Sequence, residues 1–202
     1  LHRSLRRQRQ MCIRDRENLE RERRFLVDGR EGKPWRNEPS FDIVQHYLDN
    51  ERLHLAGAVL CYDNVELFTL TTQQVSLIEN HDGWVARLRK KGNVCIFTSK
   101  KGVNADTAYE IEHEVPDSVY RNLLAEQPYP FVEKTRYVWE DEQGLQWEID
   151  EFEGALAGLV LAEVELAPNQ LIEALPAWVG QEITGLGLLS NRSLAHLMAR
   201  TD

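Results

Sequence analysis

Charged residues of like kind recur two positions apart along this chain. Glu20 and Glu22 stand so, followed at the same spacing by Arg24. Arg87 and Arg89 form a pair, as do Glu110 and Glu112, Lys134 and Arg136, Glu148 and Asp150, and Glu163 and Glu165, while Thr98 precedes Lys100. A β-strand sends alternate side chains to opposite faces, so each pair would share one face of a strand. Like charges side by side repel unless something lies between them. Clustered carboxylates raise one another's pKa and ask for a divalent cation, whereas clustered Arg and Lys ask for a polyanion. A metal–polyphosphate complex meets both demands. Hard oxygen donors without His or Cys favour Mg2+ or Mn2+ over zinc.

Any one pair reads as the solvent face of a strand. The set does not, because some opposite faces are polar too. Arg21 and Arg23 flank Glu22, and Glu151 and Glu153 flank Phe152. Strands polar on both sides suit a barrel whose lumen is charged. Other chemistries lack their signatures. There is no G-x-x-x-x-G-K-[ST] for a phosphate loop and no G-x-S-x-G for a hydrolase elbow. His113-Glu114 is followed by Asp117 where a zincin needs a second His. The six histidines are scattered.

The elements that must position these charges follow from period-2 patterning. It predicts strands over Leu19–Val27, Ile43–Leu48, Val65–Leu70, Trp84–Arg89, Val94–Lys100, Ala108–Val115, Glu133–Trp139, Gln146–Phe152 and Val160–Leu166. Turn signals at Asp82-Gly83, Gly92-Asn93 and Glu142-Gln143-Gly144 suggest hairpins. Helices are predicted over Asp117–Gln127 with Asp117 as N-cap, over 168–175 starting at Pro168, and over Ser190–Arg200. Thr71–Glu79 fits helix and strand equally. The class is mainly β (α+β), with a few short helices. A closed antiparallel barrel is favoured because it removes open edges.

The chain has 202 residues, with 24 Lys plus Arg, 33 Asp plus Glu and a net charge of −9. That balance argues against nucleic acid and an anionic membrane as partners. Residues 1–16 hold six Arg against Asp15 alone; the rest carries 18 basic and 32 acidic groups. This basic leader reads as non-native or disordered, with a mitochondrial presequence or a nucleic-acid-binding arm as alternatives, and is set apart from the fold. Residues 17–202 read as a single domain. Cys12, Cys61 and Cys95 are odd in number and far apart, so neither a disulfide framework nor a zinc knuckle is expected, and a reducing cytoplasmic setting is. No apolar run spans a bilayer.

The ordered series of motifs resembles the CYTH, or triphosphate tunnel metalloenzyme, superfamily. Glu20-x-Glu22-x-Arg24 resembles its Glu-x-Glu-x-Lys opening, and Gln45-His46-Tyr47-Leu48 its Gln-Gly-Tyr-Leu. The pairs on Val85–Arg89, Thr98–Lys100, Glu110–Glu112, Glu133–Tyr137, Trp147–Phe152 and Gly158–Leu166 follow in order, then Trp178–Thr184 and Ser190-Asn191. The resemblance implies an eight-stranded antiparallel barrel forming a tunnel for a linear triphosphate with Mg2+ or Mn2+. By position, Glu20, Glu22, Glu163, Glu165 and Asp150 would hold metal, with Glu110 and Glu112 as acids behind them. Arg24, Arg87, Arg89, Lys100, Lys134 and Arg136 would grip phosphate. Glu20 or Glu22 would activate water, Tyr47 and Lys134 would position the reacting phosphate, and the C-terminal helix around Leu194 and Leu197 would close one end.

Arg24 stands where the motif has Lys, which removes a proton-donating role there. His46 replaces Gly, Ala108 sits near a frequent Arg, Leu189 replaces a frequent Tyr, and residues 49–82 form an insertion. The expected activity is hydrolysis of inorganic tripolyphosphate to pyrophosphate and phosphate. Alternatives are thiamine or nucleoside triphosphate hydrolysis, a class IV-type adenylate cyclase, and a non-catalytic polyphosphate-binding module. A homodimer is left open.

Overall fold

Strand β1 (Leu19–Val27) carries charge on one face, at Glu20, Glu22 and Arg24, and turns Phe25 into an apolar core on the other. A charged inner face recurs on seven of the eight barrel strands in this computed structural model, which describes residues 18–30 and 32–200. The basic leader lies outside the described residues.

The remaining strands are β2 (Ser40–Tyr47), β3 (Leu53–Ala56), β4 (Val59–Tyr62), β5 (Val65–Thr69), β6 (Val85–Lys91), β7 (Val94–Gly102), β8 (Thr107–Val115), β9 (Phe131–Glu140), β10 (Gln146–Phe152), β11 (Val160–Glu165) and β12 (Val179–Glu182). Helices are α1 (Thr72–Asn80), α2 (Asp117–Glu126) and α3 (Asn191–Met198). Eight strands close antiparallel in the order β1-β11-β10-β9-β2-β6-β7-β8 and back to β1, with β12 added beside the end of β1. The expected eight-stranded antiparallel barrel is therefore present. Gly180 permits the β12 contact, because a Cβ there would lie 2.7 Å from the Leu26 carbonyl oxygen.

Local chemistry fixes the connections. Gly92, at φ 57°, turns β6 into β7. Between β9 and β10, Asp141 accepts from the backbone N–H groups of Gln143 and Leu145 and from Trp147 Nε1. Thr71 and Gln74 cap each other in a capping box, which makes the segment after Thr71 a helix.

Three expectations need correction. Asp82-Gly83 joins α1 to β6, so it is not a hairpin turn. Asp117 is the first residue of α2, with Pro116 at the N-cap position. Residues 168–175 form turns rather than a helix: Asn169 sits in the left-handed region at φ 64°, and Gln170 closes a single turn through Ala167. The insertion is a three-stranded antiparallel sheet, β3-β4-β5, followed by α1.

Three apolar clusters hold the barrel. Outside β6–β8, Leu88, Phe97 and Ile111 pack under the insertion and α2. Outside β1, β10 and β11, Trp147 and Ile149 pack with Trp35, which donates to Glu151. The third cluster joins strand ends at Tyr47, Val132, Phe152 and Leu161 to Ile183 and to Leu194 and Ala195 of α3. It closes one end of the lumen. No helix among the described residues is long and apolar enough to cross a membrane.

Candidate active site

Because Phe25, Ala86, Leu88, Phe97, Ile111, Trp147, Ile149, Ala162 and Val164 face the outer cores, their neighbours in sequence face inward. The lumen wall therefore gathers Glu20, Glu22 and Arg24 from β1, Tyr47 from β2, and Arg87 and Arg89 from β6. It adds Lys100 from β7, Glu110 and Glu112 from β8, Lys134 and Arg136 from β9, Glu148 and Asp150 from β10, and Glu163 and Glu165 from β11. Register brings the pairs together: Arg24 stands opposite Glu163, Glu22 opposite Glu165, and Lys100 opposite Glu110.

All six basic groups touch acids. Arg24 Nε donates to Glu163 Oε1 at 2.8 Å. Arg87 Nη2 reaches Glu110 Oε1 and Arg89 Nη2 reaches Glu112 Oε1, each at 2.8 Å. Lys100 Nζ sits among three carboxylates, 3.3 Å from Glu20, 3.1 Å from Glu22 and 3.1 Å from Glu110. Lys134 Nζ donates to Asp150 Oδ2 at 2.5 Å. Arg136 forks onto Asp150, with both contacts at 2.6 Å, and also reaches Glu163 at 3.2 Å and Glu148.

Burial and neighbours set the charges. Burial pushes the Glu20 carboxyl up to about 8, and the Glu110 charge adds to it. Burial alone would raise Glu110 too, but Arg87 and Lys100 bring it down to about 2. Burial also works against Glu163, yet Arg24 and Arg136 hold it well below the usual carboxylate range. Lys134 falls to about 8 through burial, although Asp150 opposes the shift. Tyr47 is pushed up to about 12 by burial and stays a neutral phenol at ordinary pH.

Tyr47 and Lys134 engage different groups. The Tyr47 hydroxyl accepts from Gln45 Nε2, whereas Lys134 is held by Asp150. Ala108 lies directly opposite Glu20 and adds no charge there. His46 points outward onto Tyr120 and Phe131. Cys61 and Cys95 are buried free thiols.

The donor set suits a hard divalent cation. The lumen acids offer hard oxygen donors, and Glu20, Glu22 and Glu110 gather around the single ammonium of Lys100. Among the described residues no three His, Cys, Asp or Glu side chains converge as a ready-made metal cage; most of the acids lean instead onto Lys and Arg.

The sequence reading named two further lumen residues, Thr98 beside Lys100 and Gln45 beside Tyr47, but gave them no role. Gln45 is buried beside Tyr47, and Thr98 is buried opposite Arg87.

Known proteins resemble this chain. A protein of Acetivibrio thermocellus named inorganic triphosphatase is 35% identical over 96 residues, which is 47% of this chain and 59% of that protein. The chain thus spans less than two thirds of that relative's length. A Nitrosomonas europaea protein of the same name is 31% identical over 140 residues, 68% of this chain and 91% of that protein. The crystal structure of the inorganic triphosphatase NE1496 superposes with a TM-score of 0.51 at 26% identity, covering 87% of this chain and 93% of that one. No protein-family model matches the chain.

Proposed function

The chain belongs to the CYTH, or triphosphate tunnel metalloenzyme, superfamily, and from that membership we propose that it hydrolyses inorganic tripolyphosphate to pyrophosphate and phosphate. The observation that carries the reading is a closed barrel whose lumen pairs six basic side chains from four strands with carboxylates from four. Pure anion binding would not need those acids.

Residues 17–202 form one catalytic domain, with 49–82 inserted outside the lumen. Arg24, Arg87, Arg89, Lys100, Lys134 and Arg136 bind the phosphate oxygens and neutralise charge on the leaving pyrophosphate. Glu20, Glu22, Glu163 and Glu165 would hold Mg2+ or Mn2+. A bound divalent cation supplies Lewis-acid polarisation of phosphate oxygens. Asp150, expected by position among the metal ligands, accepts three bonds from Lys134 and Arg136. We read it as the counter-ion that aims those two. Glu110 holds Arg87, and Glu112 holds Arg89.

Water attacks the terminal phosphorus in line with the bridging oxygen, whose bond to that phosphorus breaks. Glu22, or Glu20 once it has given up its own proton, takes the water's proton. Tyr47, neutral throughout, donates its O–H to a phosphate oxygen, and Lys134 holds the reacting phosphoryl group in place.

The test is an assay of the purified chain with Mg2+ or Mn2+ on tripolyphosphate, ATP and thiamine triphosphate. Metal-dependent phosphate release, fastest from tripolyphosphate, is the expected outcome. Cyclic AMP with pyrophosphate would replace the reading with a cyclase. Tight binding of tripolyphosphate without turnover would leave a binding module.

A further inference from the structure

Thr98 is fully buried, at 0% exposure, yet its Oγ1 has no hydrogen-bond partner. A buried hydroxyl without a partner costs about 1–3 kcal/mol, so native proteins rarely leave one. This one is not alone. The buried Nε atoms of Arg87 and Arg89 also lack partners, although the Nη2 atom of each guanidinium is engaged by Glu110 or Glu112. Thr98 pairs directly with Arg87 on β6 and with Glu112 on β8, on the lumen face that Lys100 shares. Directly paired residues hold their Cβ atoms about 4.5–5.5 Å apart. Three unsatisfied donors thus stand on one patch of wall; the acceptor without a hydrogen bond there, Glu110 Oε2, is met by Lys100 Nζ at 3.1 Å, so the surplus is of donors and calls for an anion rather than a cation.

A neutral donor is the chemistry this patch has room for. Arg87, Arg89 and Lys100 already crowd the arc, and burial together with the Arg87 charge holds the Arg89 guanidinium below its ordinary value. Another cation would add repulsion; a hydroxyl adds a hydrogen bond without it.

We propose that Thr98 is a phosphate-binding residue whose hydroxyl donates to the phosphoryl group gripped by Arg87 Nε and Arg89 Nε. This rests on the reading of the lumen as a triphosphate site. The bond exists in the substrate complex as well as at the transition state, so its loss shows in KM more than in kcat. The free protein bears the cost of the unsatisfied hydroxyl, and the complex recovers it.

The experiment compares Thr98→Val, Thr98→Ser and Arg87→Ala in metal-dependent hydrolysis of tripolyphosphate, beside thermal unfolding without substrate. Thr98→Val keeps the shape and removes the donor. It should raise KM about tenfold with kcat within about threefold, while the substrate-free melting temperature stays level or rises. Thr98→Ser should restore KM. A Thr98→Val protein with wild-type KM overturns the proposal, provided Arg87→Ala raises KM. If Arg87→Ala also leaves KM unchanged, the triphosphate reading of the lumen fails with it. Should Thr98→Val not fold, Thr98→Ala is read by the same criteria.

Discussion

The two arcs of the lumen wall handle buried charge in opposite ways. On β9, β10 and β11, Lys134, Arg136, Asp150 and Glu163 saturate one another, with Asp150 alone taking three bonds. On β6, β7 and β8, buried donors at Arg87, Arg89 and Thr98 lack hydrogen-bond partners. Among the described residues, every such atom on the barrel's lumen face belongs to this second arc. The first arc is a finished network whose integrity is a folding matter. The second holds bonding capacity in reserve, which is what a ligand can use. Side chains on the first arc are thus preset in direction, and the donors on the second are left open.

The contrast breaks most sharply at Asp150. Asp150→Asn keeps the shape but strands Lys134 and Arg136 in the interior with less countercharge. Removing one partner of a buried pair costs about 3–5 kcal/mol. Urea unfolding should show that loss, and a variant as stable as the parent would show the first arc to be no structural network. On the second arc, Arg87→Ala should cost less stability than Asp150→Asn, because Glu110 retains Lys100 at 3.1 Å. Its main effect should be a KM for tripolyphosphate raised by the equivalent of about 1.5–3 kcal/mol, the range for a hydrogen bond to a charged group. Equal stability losses in the two variants would erase the distinction between the arcs.

A smaller effect comes from β2, the strand between the arcs. His46 faces away from the lumen, and burial lowers its pKa to about 4. The unfolded chain takes up a proton at His46 near pH 6.5, which the folded chain refuses until about pH 4. Stability contributed here is present above pH 6.5 and declines as pH falls towards 4. We expect a loss on the order of 1 kcal/mol, since the ring is only part-buried. Denaturant midpoints at pH 7 and pH 5 should differ in the parent and converge in His46→Leu. Wild-type pH dependence in that variant would assign the slope to other groups.

Much of this molecule was legible because charge alternates so strictly. Glu20, Glu22 and Arg24 announce the lumen face of β1, and Lys134 and Arg136 that of β9. β12 was missed because Val179–Glu182 offers no apolar alternation; it is a strand because Gly180 lets it lie against Leu26. β3 and β4 are four residues each, too short for periodicity to register. Asn169 supplied no signal against a helix after Pro168, because its left-handed conformation is set by the surrounding turn. Which base meets which acid was beyond reach: Arg24 meets Glu163 across 139 positions of sequence, and only register decides that.

The apolar closure beneath α3 also has a kinetic consequence. The apolar cluster of Tyr47, Phe152, Leu161 and Leu194 stands at one end of the lumen, which would leave the opposite end as the door. On the proposed reading, substrate would enter by the rim that carries Glu148 and Glu165, and both products would retrace that path. The fragment nearer the rim has to depart before the deeper one can. Release is then ordered by depth, and the last product to leave should inhibit competitively against tripolyphosphate while the first does not. Competitive inhibition by both products would require a second exit.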